Sequence, residues 1–248
     1  MKVMFVGPSL GSNLGAARAA SADIDFRPPA ACGDILKAVH DGATAIGLVD
    51  GYFGDLPSVW HKEILFALEH DVAVAGGASM GALRAAECTP FGMVGLGSIF
   101  DDYETGRLLD DEAVALVHAP QELGWLPLSV PWVDFEPTIE ALYAKGEISP
   151  GERKKLLLAG RFLHFSERTY AKVVDECHFV RKPRRDHILA AIRQNRVERK
   201  RNDALMVLEW LRRGEFLPVN RDWRFAATSH WELLHAEVTR SAAPVTLE

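Results

Sequence analysis

The feature that most constrains the fold is a strand-then-helix pattern that repeats four times within the first 90 residues. Strand-like runs occupy residues 3–6, 24–27, 45–49 and 72–77, and each is followed by a segment in which apolar side chains recur at helical spacing. A chain that alternates in this way forms parallel strands joined by helical crossovers. We therefore predict an α/β fold: a Rossmann-like parallel sheet with flanking helices and a helical C-terminal region.

The alternation loosens after this point, and the rest of the chain is organised differently. The stretch EAVALVHAP favours one more strand, which ends at His118. Helical patterns dominate from there towards the C-terminus. We predict an α/β core over residues 1–125, a helical region packed on that core over residues 126–215, and a C-terminal extension over residues 216–248.

Composition is that of an ordinary globular protein, since 48% of the 248 residues are hydrophobic and 25% are charged. No apolar run approaches the roughly 20 residues that a membrane-spanning helix needs. The N-terminal stretch MKVMFVGPSL is broken by Gly7 and Pro8 too early for a signal peptide. We therefore expect a cytoplasmic protein without a membrane partner.

Charge is unevenly distributed along the chain. The net charge is −11 over residues 1–180 and +5 over residues 181–248, which together give the total of −6. An acidic body argues against nucleic-acid binding, whereas the basic end favours contact with an acidic protein partner.

The predicted topology brings several polar residues to one edge. Crossovers between parallel strands are right-handed, so the C-terminal ends of the strands share an edge, where ligands of α/β proteins gather. The strand ends and the helix that follows the third strand supply seven candidate site residues: Ser9, Arg27, Asp50, His61, Lys62, Glu63 and Ser79.

Ser79 lies in the stretch GGASMGALRAAE, which contains a Gly-x-Ser-x-Gly pattern between a strand and a helix. That context suits a nucleophile elbow, where the serine hydroxyl stands clear of the sheet beside the amides of a helix N-terminus. The alternative is a tight turn in which Ser79 only caps the helix that begins near Gly81. The pattern leaves both interpretations open.

A serine nucleophile needs a base. Histidine side chains in general titrate near neutral pH, so His61 is the natural general base, and Asp50 is placed to orient it. Lys62 is an alternative base or an anchor for a carboxylate. The competing interpretation is that His61, Lys62 and Glu63 form a solvated helix surface.

Weaker assignments concern Arg27 again and two further residues. Arg27 precedes two prolines at a strand end and can clamp an anionic group. Arg84 lies three residues before Glu87, so these two side chains can pair on one helix. His118 is a spare acid–base candidate.

The sequence predicts neither a cofactor nor a metal. The glycines of GPSLGSNLGAARAA do not have dinucleotide-binding spacing, and there is no Gly-Lys-Ser/Thr phosphate loop. The histidines and the three cysteines also lack metal-ligand spacing.

Several blocks occur in an order that resembles the TfuA-like family: FVGPSL, FRPPAACGDI, IGLVDGYF, PSVWHKEILFAL, GGASMGALRAAE, FGMVGLGSIF and DDEAVALVHAP. The resemblance runs from about residue 2 to about residue 170. It implies a protein that accompanies YcaO-type enzymes in making peptide thioamides, and that releases sulfide by hydrolysing a thiocarboxylated sulfur-carrier protein.

The resemblance assigns roles by motif position. Those implied to be catalytic are Ser79, His61, Lys62 and Asp50, and those implied to bind substrate are Ser9, Arg27, Glu63 and Arg84.

Two other functions and the oligomeric state stay open. One is a non-catalytic adaptor that stimulates a YcaO-type enzyme through the basic residues Arg196, Arg199, Lys200 and Arg201. The other is a small-molecule serine hydrolase that rests on the Ser79 motif alone. The sequence is also compatible with a homo-oligomer.

Overall fold

The sheet has the predicted parallel architecture. The computed structural model describes residues 1–52, 54, 56–178, 182–216 and 222–242, with only the backbone for residues 241 and 242. Five parallel strands in the order β2-β1-β3-β4-β5 form one sheet: β1 Lys2–Phe5, β2 Ile24–Arg27, β3 Ala45–Leu48, β4 Ala73–Gly77 and β5 Val94–Leu96. The α/β prediction is confirmed.

Helices flank the sheet and make up most of the second half of the described chain. In chain order they are α1 Leu14–Ala19, α2 Asp34–His40, α3 His61–Glu69, α4 Met80–Cys88, α5 Ser98–Glu104, α6 Trp132–Ala144, α7 Pro150–Phe162, α8 Tyr170–Glu176, α9 Lys182–Gln194, α10 Arg199–Arg213 and α11 Ser229–Ala242. None of the described helices has the length and apolar character needed to cross a bilayer.

The alternating side chains of the strands divide the core into two parts. Val3 of β1 and Leu48 of β3 lie in the larger cluster, which includes Ile64 of α3. Met4 and Ala45 point to the opposite face and lie in a smaller cluster with residues of α1 and α10. Both faces of the sheet are therefore covered, as expected of parallel strands.

The helix α10 packs directly on the sheet although it lies some 150 residues after β3. Gly47 makes this approach feasible, because a Cβ there would lie 2.8 Å from both Val207 and Leu211. Gly214, just past the end of α10, lies near Lys2 at the start of β1. The N-terminus of α10 therefore points to the edge where the strands end.

One predicted element is wrong, and a short strand takes its place in the sheet. The EAVALVHAP stretch forms a 3-10 turn at Asp111–Val114, and His118 makes only an isolated bridge to Pro127. The fifth strand is instead Val94–Leu96, which pairs with β4.

The division at residues 125 and 215 stays a prediction. In the extension assigned to residues 216–248, residues 217–221 and 243–248 lie outside the described residues, as does Phe53 of the DGYF block.

Candidate active site

The loops after β1 and β3 meet at the switch point of the sheet. The strand order places β1 beside β3, and in such sheets the crevice between the first and third strands is the usual ligand site. The carboxylate of Asp50 accepts hydrogen bonds from the Gly7 amide at 2.9 Å, the Ser9 amide at 3.0 Å and the Ser9 hydroxyl at 2.6 Å. Asp50 is only 2% exposed, so these bonds replace the water it has lost.

Lys200 faces the same carboxylate from the N-terminus of α10. Its Nζ donates to the Val114 carbonyl oxygen at 2.8 Å and lies 4.0 Å from Oδ1 of Asp50. Burial lowers the pKa of Lys200, whereas the charges of Asp50 and Asp134 raise it. Burial is the means by which a lysine amine becomes a proton acceptor, and the two carboxylates oppose this effect.

Ser79 lies on a strained turn between β4 and α4. The preceding residue, Ala78, has a φ of 67°, a left-handed conformation that is unusual for a residue with a Cβ. Ser79 occupies the N-cap position, but its side chain makes no capping bond, and within the described residues its hydroxyl makes no hydrogen bond at all. The side-chain cap, one of the two interpretations of this motif, is therefore not formed.

These groups line a common cavity of about 400 Å³. Its polar lining comprises Asp50, Tyr52, Ser79, His118 and Lys200, together with Ser166. A nucleophile candidate, an amine and an imidazole thus share one water-accessible space.

His118 has a defined orientation in this cavity. Its Nδ1 lies 2.9 Å from the carbonyl oxygen of Ala119, so this nitrogen carries a proton and donates it. The ring packs edge-on against Trp125, with centroids 5.2 Å apart. In the neutral ring the acceptor nitrogen is then Nε2.

The structure does not bring His61 and Lys62 to Ser79. Nε2 of His61 lies 2.7 Å from the Glu87 carboxylate, and its ring is about half exposed. Lys62 donates to the Ala226 carbonyl oxygen and lies over the Phe225 ring. Neither side chain lines the cavity. The two oxygens of Asp50 accept hydrogen bonds from Gly7 and Ser9, in the loop after β1, and not from His61.

Glu63 has a fully buried carboxylate that does not line the cavity. It accepts hydrogen bonds from the amides of Trp60, Gly33 and Leu36, which join the start of α3 to α2. Burial raises the pKa of this carboxyl, although the backbone amides partly offset that effect.

The two candidate arginines lie outside the cavity lining. Arg27 pairs with Asp25 at 2.8 Å and with Asp41 at 2.9 Å, and it lines a separate cavity of about 340 Å³. Arg84 donates to the Val59 carbonyl oxygen and pairs with Glu87 at 2.7 Å, as its spacing predicted.

Lys200 is the cavity residue that the sequence did not reveal, since the sequence placed it only among the basic residues of the adaptor function. It belongs to the basic run RQNRVERKRND, which favours a solvated surface, and no local motif marks it. Only the packing of α10 on the sheet reveals its position. Among the described residues, no three His, Cys, Asp or Glu side chains are grouped as a metal site requires.

Comparison with known proteins adds one finding. The sequence profile of a family described as TfuA-like protein matches residues 50–169. The matched range contains Asp50, Ser79 and His118, but it ends before Lys200 and excludes Ser9. No curated protein matches the chain.

Proposed function

Because residues 50–169 place this chain in the TfuA-like family, we propose that it hydrolyses a thiocarboxylated sulfur-carrier protein in the cytoplasm. The sulfide goes to a YcaO-type partner for thioamidation of a peptide backbone. The observation that carries the proposal is the convergence of Ser79, Asp50 and Lys200 on one cavity at the C-terminal edge of the sheet.

The reaction is an acyl transfer from sulfur to oxygen. An oxygen nucleophile adds to the carbonyl carbon of the thiocarboxylate, and collapse of the tetrahedral intermediate breaks the C–S bond. With water as the final acceptor, R–COS⁻ and H₂O give R–COO⁻ and H₂S. Either the Ser79 hydroxyl attacks first and forms an ester that water hydrolyses, or Ser79 orients a water that attacks directly. Both routes consume the same reactants and give the same products.

Proton transfer is assigned to Lys200 in this proposal. The nucleophile must lose a proton as it attacks, and a neutral amine inside the cavity can accept it. Burial supports this role because it lowers the pKa of Lys200. His118 is the second acid–base group in the cavity and suits protonation of the departing sulfur.

Stabilisation of the intermediate is assigned to the start of α4. The first amides of a helix have no intrahelical acceptor and carry partial positive charge. The Met80 amide follows Ser79 directly, and Met80 lines the cavity. An oxyanion formed beside Ser79 would receive this donor.

The test is to follow sulfide release from a carrier protein bearing a C-terminal thiocarboxylate. We expect Ser79→Ala and Lys200→Met each to lower kcat by about 100-fold or more. His61→Ala should retain nearly the wild-type rate, because His61 contacts Glu87 outside the cavity. If Ser79→Ala and Lys200→Met both keep the full rate, the proposed chemistry is wrong.

The adaptor function has one observation in its favour, namely the basic segment at the start of α10. Its residues are largely engaged within the chain: Arg199 pairs with Asp102 at 2.5 Å, Arg201 pairs with Glu198 at 2.8 Å, and Lys200 is buried. An adaptor would stimulate the YcaO-type enzyme equally well as wild type and as Ser79→Ala when free sulfide is supplied. The hydrolase proposal instead predicts that free sulfide removes the need for this protein.

A further inference from the structure

We propose that Asp134 of α6 is a positioning residue for Lys200, holding the first turn of α10 and supplying the second negative charge that the Lys200 amine experiences. This inference rests on the proposed role of Lys200 as proton acceptor. It adds a residue that lies outside the Ser79 cavity and outside every sequence motif described above.

The side chain of Asp134 contacts the backbone of Lys200. An oxygen of the Asp134 carboxylate accepts a hydrogen bond from the Lys200 amide at 3.1 Å. That amide belongs to the first turn of α10, where helical N–H groups lack intrahelical acceptors. Asp134 therefore caps α10 from a neighbouring helix and fixes where the Lys200 side chain begins.

The protonated form of Lys200 needs a negatively charged group nearby to offset the cost of its position. A cation on the first turn of a helix is disfavoured by the helix dipole, and burial disfavours it further. Asp50 and Asp134 are the two carboxylates whose charges counteract that burial. Asp50 also accepts hydrogen bonds from Gly7 and Ser9. Among the described residues, the Asp134 carboxylate accepts a hydrogen bond from the start of α10.

Asp134 lies in a second cavity that adjoins the first. This cavity measures about 250 Å³ and shares Pro8 and Lys200 with the Ser79 cavity. Burial raises the pKa of the Asp134 carboxyl to about 6, and the hydrogen bond from Lys200 opposes that rise. The charged and titratable residues that line the two cavities around Lys200 are Asp50, Tyr52, His118, Asp134, Arg196, Glu198 and Arg201.

The direction of the effect follows from these charges. Removing the negative charge of Asp134 withdraws one of the two groups that raise the pKa of Lys200, so Lys200 should lose its proton at lower pH. The pH at which sulfide release reaches half its maximal kcat should fall in parallel.

Two substitutions separate charge from hydrogen bonding. Asp134→Asn removes the charge but keeps an oxygen that accepts from the Lys200 amide, whereas Asp134→Ala removes both. Glu136→Gln is the matched control, because Glu136 is an exposed acid on the same helix and lines a different groove. Lys200 titration is read by NMR of protein labelled with ¹³C-lysine, with Lys200→Met used to assign its signal.

We expect Asp134→Asn to shift the Lys200 midpoint down by roughly one pH unit, with the same shift in the pH–rate profile. Glu136→Gln should shift neither, and Asp134→Ala should also lower the thermal stability. An unchanged Lys200 midpoint in folded Asp134→Asn would overturn the inference. The NMR titration needs no substrate, so it gives this answer even if wild-type protein releases no sulfide, which would instead reject the proposed function.

Discussion

At the scale of single residues, the site depends on Asp50 and Lys200, which form a buried ion pair whenever Lys200 is protonated. Asp50 is engaged by the Ser9 loop, and the Lys200 amine lies 4.0 Å from it. A buried pair of this kind contributes little net stability compared with apolar residues, but loss of one partner leaves the other charge uncompensated. Stability and function are therefore coupled at this point.

We predict that Asp50→Asn lowers the free energy of unfolding by about 3 kcal/mol, because Lys200 then remains buried without its nearest carboxylate. The double variant Asp50→Asn with Lys200→Met should be more stable than the sum of the two single losses implies. Urea unfolding at pH 7 measures all four proteins of this cycle. Strict additivity of the two single effects would contradict the coupling.

A second residue-scale prediction concerns Glu152, whose pKa is lowered to about 2, chiefly by its hydrogen bond from Arg184. Glu152 also accepts from the Ser149 amide in a capping box at the start of α7. Because its folded pKa lies below its ordinary value of 4.5, its stabilisation is complete above about pH 4.5 and is lost as the pH falls towards 2.

Glu152→Gln should therefore cost about 1 kcal/mol at pH 7, a value set by the cap and the partly exposed ion pair. The difference from wild type should shrink between pH 4.5 and pH 2. Denaturant unfolding over this pH range checks the trend, with the exposed Glu104→Gln variant as the control. A cost that does not change with pH would mean that the charge of Glu152 is irrelevant.

At the scale of elements, the position of Ser79 depends on how closely α4 approaches β3. The Gly81 amide donates to the Val49 carbonyl oxygen, and a Cβ on Gly81 would lie 1.8 Å from the carbonyl oxygen of Leu48. Side chains are therefore excluded where the helix meets the strand end. The second glycine of the Gly-x-Ser-x-Gly pattern is thus required by packing.

Gly81→Ala should destabilise the fold by about 3 kcal/mol, because the obstacle is backbone and cannot rotate away. It should also reduce sulfide release in the folded fraction, since α4 carries the Met80 amide next to Ser79. Gly151→Ala is the matched control, as a Cβ there meets nothing within 4 Å and should change stability by no more than about 1 kcal/mol. Thermal unfolding that is equal for both variants would show that α4 can move freely.

The elements were predictable to different degrees for physical reasons. Strands β1, β3 and β4 are continuous buried apolar runs, so periodicity reveals them. The strand β5 has only three residues, and one of them is Gly95, which packs against the Phe100 ring. The EAVALVHAP stretch is apolar enough to be typical of a strand, yet its buried residues Ala113 and Val114 lie in a 3-10 turn.

The site was predictable where topology alone determines proximity. Asp50 and Ser9 follow adjacent strands, so the edge rule brings them together, and their hydrogen bond has that origin. Lys200 required knowledge of tertiary packing, since the apolar face of α10 reaches the sheet at Gly47 and so brings Lys200 to the site. His61 begins a helix at the same edge, but its ring turns to Glu87.

At the scale of the whole molecule, the C-terminal helix α11 packs over α2 and α3. Trp231 is 4% exposed and lies 5.1 Å from the Phe66 ring of α3, and Phe225 joins the same aromatic cluster. The Lys62 hydrogen bond to Ala226 fastens the same region. The extension thus depends on α3, the helix whose N-terminus lies at the edge of the sheet.

This attachment should weaken as the pH falls. The His40 ring lies edge-on to His235 of α11 at 5.1 Å, and burial, followed by the charge of His235, lowers the pKa of His40. A detached α11 would move this pKa back towards its ordinary value of 6.5, so docking is at full strength above that pH and weakens progressively below it. Hydrogen exchange in α11 should therefore be faster at pH 5.5 than at pH 7.5, after correction for the intrinsic rates.

His40→Gln should flatten this dependence, whereas His230→Gln, an exposed change on α11 itself, should preserve it. Equal protection of α11 at both pH values would show that the histidine pair does not control docking, and the aromatic cluster around Phe66 would then be sufficient to hold the extension.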